Sequence, residues 1–125
     1  MADLPTADRV VDDEWLTRLF EGGDWQEGKI SSAVFKSELI SVFRDRYLGV
    51  DAVLARHGEG RGAARLAAAF VRADPRRDLD VVKDEPPYAH AHVRTASGRR
   101  NTTGQARRLR DAAMARIARM PAGIK

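Results

Sequence analysis

The chain has 125 residues, enough for one compact domain and little more, and its 43% hydrophobic content can form a modest core. It has no cysteine, which excludes disulfides, thiolate metal sites and a cysteine nucleophile, and no apolar run long enough to span a membrane. The net charge of +4 is unevenly held: residues 94–125 carry nine Arg or Lys against one acid, Asp111, a formal +8, and residues 1–93 sum to −4.

Residues 1–11 read as a flexible polar lead-in, residues 12–121 as a single domain and residues 122–125 as a tail. The start, Met1-Ala2-Asp3-Leu4-Pro5, lacks the basic-then-apolar order of a secretory signal, so a cytoplasmic protein is expected. Asp12 or Asp13 can cap a helix running to about residue 21, with Trp15, Leu16, Leu19 and Phe20 as its apolar stripe and Gly22-Gly23 as its stop. Trp25 then folds back onto the core. Residues 29–48 fit both periods; two strands, near 30–36 and 39–44, are preferred for Val34, Phe35, Ile40, Val42 and Phe43.

Asp51 can cap a short helix that turns Val53 and Leu54 inward and ends at Gly58, with His57 beside the helix C-terminus. The glycine-rich 58–62 stretch is a flexible loop without the spacing of a phosphate loop. Alanine-rich residues 63–73 read as a helix with Leu66, Ala69, Phe70 and Ala73 on one side, ended by Asp74-Pro75. Residues 79–83 and 88–95 read as antiparallel strands around an Asp84-Glu85-Pro86-Pro87 turn. Thr102 and Gln105 form a capping box. The helix it opens places Ala106, Leu109, Ala113, Ile117 and Met120 on one face and Arg107, Arg108, Arg116 and Arg119 on the other, with Pro121 and Gly123 ending it. The expected fold is therefore α+β: one small domain, a mainly antiparallel sheet, short helices and a basic amphipathic C-terminal helix.

Two regions carry chemistry. Arg94, Arg99, Arg100, Arg107, Arg108, Arg116 and Arg119 form a basic surface suited to an acidic partner, either nucleic acid or an acidic protein face. The region holds no aromatic side chain for base stacking. On a strand, Tyr88, His90, His92 and Arg94 share one face. Two histidines at i and i+2 can hold zinc with a third ligand from His57 or an acidic residue such as Glu85, or act as a general acid and base in phosphodiester cleavage with Arg94 stabilising charge. No spacing fixes a third ligand, and the simplest account is a polar ribbon face with Ala89, Ala91 and Val93 inward.

The progression Ile30-Ser31-Ser32-Ala33-Val34-Phe35, then Ile40-Ser41-Val42, then Val81-Val82 through Asp84 and Pro86-Pro87 to Ala89-His90-Ala91, resembles a set of small uncharacterised bacterial proteins with no attached activity. The resemblance implies strands around Phe35 and Val42 and draws attention to His90 before His92. The expected function is that of a non-catalytic binding or accessory protein, without cofactor or metal and without membrane contact. The alternative is a small histidine-dependent hydrolase or ribonuclease using Tyr88, His90, His92 and Arg94.

Overall fold

Strand β1 (Trp15–Phe20) lies where the apolar stripe had suggested a helix. It is a central strand, paired with β4 (Leu39–Arg44) on one side and β5 (Gly62–Ala67) on the other. Leu16 and Phe20 are buried on one face, Thr17 and Leu19 on the other. A strand covered on both faces loses the apolar–polar alternation that would have marked it, so its pattern passes for a helical stripe. The computed structural model describes residues 5–124.

Between β1 and β4 the chain makes a small hairpin, β2 (Trp25–Gln26) with β3 (Lys29–Ile30), around Glu27 and Gly28, both at positive φ. Trp25 does fold back, stacking on Phe20 at 6.5 Å. The strand expected over residues 30–36, and implied by the resemblance around Phe35, is instead a 3-10 turn, Ser32–Phe35, capped by the Ser31 hydroxyl. That turn buries Val34 and Phe35 against the sheet, a job that a period-two segment could not do with both side chains.

Helix α1 (Val50–His57) follows β4 as expected, with Gly49 rather than Asp51 at its N-cap. The alanine-rich segment corrects a second helix: Gly62–Ala67 is β5, and only α2 (Ala68–Arg72) is helical. Small side chains are wanted there for packing. A Cβ on Gly62 would stand 2.4 Å from the Phe20 ring, and Ala63 and Ala64 are fully buried on opposite faces. Tertiary contact thus overrides alanine's helical propensity.

β6 (Leu79–Lys83) and β7 (His90–Thr95) form one edge of the sheet and β8 (Ile117–Arg119) the other, in the order β6-β7-β4-β1-β5-β8, antiparallel throughout. α3 (Thr103–Met114) opens with the expected capping box but stops six residues short of Met120. Residues Ile117–Arg119 are β8, which pairs with β5 and covers what would otherwise be an open sheet edge. Arg116 and Arg119 therefore do not lie on the basic helix.

α3 presses Ala106, Leu109 and Ala113 onto one face of the sheet, over Leu16, Ile40, Leu66 and Val93. α1 covers part of the opposite face through Val53 and Leu54, against Leu19, Phe43 and Ala63. The fold is α+β. No helix among the described residues is long and apolar enough to cross a membrane.

The lead-in expected over residues 1–11 is described from Pro5; its first four residues lie outside the described range. From Thr6 onward it packs on the sheet, with Thr6 and Val10 buried. Its anchor is Arg44, fully buried, which donates from both Nε and Nη2 to the Glu14 carboxylate at 2.7 Å. Its other donors meet the Thr6 hydroxyl and the carbonyls of Asp8 and Arg9.

Candidate functional site

β7 presents His90, His92 and Arg94 on the sheet face that α1 only partly covers. Across the ladder, His90 stands opposite Phe43, His92 opposite Ser41 and Arg94 opposite Leu39. Tyr88 is not part of this row. Ala89 adopts φ 65°, turning the chain before the strand begins, and Tyr88 packs edge-on to Tyr47 instead.

Two of the chain's three histidines flank Phe43, and the third adjoins one of them. His57, at the end of α1, stacks on the Phe43 ring at 4.7 Å, and His90 meets it edge-on at 5.2 Å. His92 lies edge-on to His90 at 4.8 Å. Burial, then the Arg56 charge and His90, hold His57 below its ordinary pKa. Burial likewise lowers His92, helped by His90 and Arg94 and opposed by Asp84.

The acid beside these imidazoles is Asp84, not Glu85. The β6–β7 ladder continues one step beyond β6, where the Asp84 amide donates to the His90 carbonyl at 3.0 Å. This keeps Asp84 in strand parity with Val82, so its carboxylate falls on the histidine face. Asp84 Oδ2 lies 3.1 Å from His92 Nδ1 and 3.7 Å from His90 Nδ1. His90 Nδ1 also sits 2.9 Å from the Asp84 carbonyl oxygen. Glu85 turns away to accept from the Thr6 and Ala89 amides. Neither His57 nor Glu85 therefore completes the histidine pair. The signal in the sequence was the parity of residues 80, 82 and 84, hidden when Asp84 is assigned to the turn.

The seven arginines expected as one basic surface divide into separate groups. Arg119 pairs with Asp51, and Arg116 lies over the Trp15 ring at 5.2 Å, both by the β5–β8 edge. Arg108 lies 3.8 Å over the Phe70 ring and donates to the Phe70 carbonyl at 2.9 Å. Arg94 is half-buried beside Gly98. Arg99, Arg100 and Arg107 are exposed and touch no carboxylate among the described residues.

Arg76 and Arg77, missed in sequence, join this last group. The Ala96 amide donates to the Asp78 carbonyl at 2.9 Å, which sets the α2–β6 turn beside the loop holding Arg99 and Arg100. Gln105 ties the same turn to α3 through Asp74, at 2.9 Å. Lys36 adds an ammonium, donating to the Thr103 hydroxyl at 2.7 Å. One end of the molecule thus carries five exposed guanidiniums from three segments. A groove of about 800 Å³ lies elsewhere, between residues 7–12 and β6. Of the two arginines lining it, Arg9 and Arg72, the second is paired with Asp12 and Asp80.

Comparison of the chain with family models, with curated proteins and with solved structures finds no match.

Proposed function

We propose that the protein is a non-catalytic binding protein that grips a nucleic-acid backbone through its basic end, Arg76, Arg77, Arg99, Arg100 and Arg107 with Lys36. The observation that carries this reading is that these five guanidiniums are exposed, stand on three segments that hydrogen bonds tie together and have no carboxylate partner among the described residues, while the arginines of the rest of the surface mostly have one. Guanidinium is the better fork for phosphate oxygens. The Phe70 ring beside this end is covered by Arg108, so contact follows phosphates and reads little sequence.

The test compares two variants against labelled RNA and duplex DNA. Replacing Arg99, Arg100 and Arg107 with Ser is expected to weaken binding at least tenfold, while replacing Arg116 and Arg119 with Ser leaves it nearly unchanged. Equal losses in both would remove the basic end as the site. Binding only to an acidic protein would replace the nucleic acid with that partner.

Histidine-dependent phosphodiester cleavage is the second reading, favoured by the adjacency of His90 and His92. RNA cleavage that is lost in His92→Ala, with binding kept, would establish it.

A further inference from the structure

The geometry points to a divalent transition-metal site, suited to zinc, formed by Asp84, His90 and His92. One ligand atom from each residue lies within 4.8 Å of the other two. Four-coordinate zinc with bonds of about 2.0–2.1 Å sets its ligand atoms about 3.3 Å apart, so small side-chain rotations close the set. The Asp84 carboxylate is already at 3.1 Å and 3.7 Å from the two imidazoles. The ligands rest on a rigid frame, since His90 and His92 belong to a strand paired on both sides and Asp84 is held by the continued ladder.

The donor set selects the metal class. Two imidazoles and one carboxylate favour zinc and its transition-metal neighbours, while magnesium and calcium prefer all-oxygen shells. His90 serves through Nδ1, which exchanges its contact with the Asp84 carbonyl for the metal. With Asp84 about half exposed (55% of its side chain), the fourth position faces water. This site lies on the sheet face, apart from the basic end, and stands or falls independently of nucleic-acid binding.

The test uses the full chain after dialysis against a chelator. Zn²⁺ is titrated calorimetrically and Co²⁺ by its visible absorption, with Mg²⁺ as the comparison. The expected result is one Zn²⁺ per chain, a tetrahedral Co²⁺ spectrum and no Mg²⁺ heat. Asp84→Asn and His92→Gln, both at partly exposed positions, are expected to weaken Zn²⁺ at least tenfold while the circular dichroism stays native. No saturable Zn²⁺ or Co²⁺ binding by the unmodified chain would overturn the site, whatever the variants do. Binding of equal strength in folded variants would overturn it too.

Discussion

Glu14→Gln keeps the shape of a buried side chain and removes the charge that Arg44 needs. The guanidinium is fully buried and the Glu14 side chain 1% exposed. The remaining acid, Asp8, is 3.4 Å away and 40% exposed, so it compensates little. Removing one member of a buried pair costs about 3–5 kcal/mol, a large share of the roughly 5–15 kcal/mol that holds a domain together. Unfolding entropy of about 2.1 cal/mol/K per residue gives this chain about 4 °C of midpoint per kcal/mol, so the midpoint should fall by about 12–20 °C. The assay is thermal unfolding by circular dichroism, supported by urea titration. Glu14→Leu combined with Arg44→Met removes both charges and should cost less than Glu14→Gln alone. A fall below about 4 °C for Glu14→Gln would refute the claim that this pair anchors residues 6–14 to the sheet.

The same pair predicts an acid limit. Burial raises the Glu14 pKa, but the Arg44 hydrogen bonds, the Val11 amide and the Arg44 charge outweigh it and leave a value below the ordinary 4.5. Glu85 is lowered in the same way, its burial outweighed by Thr6, the Ala89 amide and Lys83. A carboxylate depressed on folding contributes stability that is fully present above its unfolded pKa and lost as pH falls through its folded one. Urea midpoints should therefore hold from pH 7 to about 5 and drop below 4.5, with a shallower drop in Glu14→Gln; identical pH profiles for both proteins would contradict this. Gly62→Val drives a side chain into the Phe20 ring, which stands 2.4 Å from the first added carbon. It should cost at least the roughly 1–3 kcal/mol of an overpacked core, read as a lower urea midpoint, and an unchanged midpoint would contradict the packing of β1 on β5.

Local signals were legible in the sequence. Thr102 and Gln105 form their capping box from four consecutive residues, and β4, α1 and β6 follow from hydrophobic runs bounded by Gly, Pro and Asp. Features set by tertiary contact were not. Leu16, Thr17, Leu19 and Phe20 hide a strand because both faces are covered, and Ala63 and Ala64 serve a strand because α1 and α3 press close on either side. Residues 117–119 leave the expected helix because β5 offers an open edge. At the site, the histidine pair was visible from its spacing, but Asp84 joins it only through ladder parity. Arg76 and Arg77 come beside the loop of Arg99 and Arg100 through the Leu79–Thr95 register and the Asp78–Ala96 contact, which no local pattern encodes.

The most direct measurement is fluorescence anisotropy of labelled mixed-sequence RNA and duplex DNA, titrated with the protein from low to near-physiological salt. If the five guanidiniums each neutralise one phosphate, log K for duplex DNA should fall against log salt with a slope of about −4.5, a loss of several hundredfold between 50 and 200 mM. No binding at low salt, or binding indifferent to salt, would contradict the account.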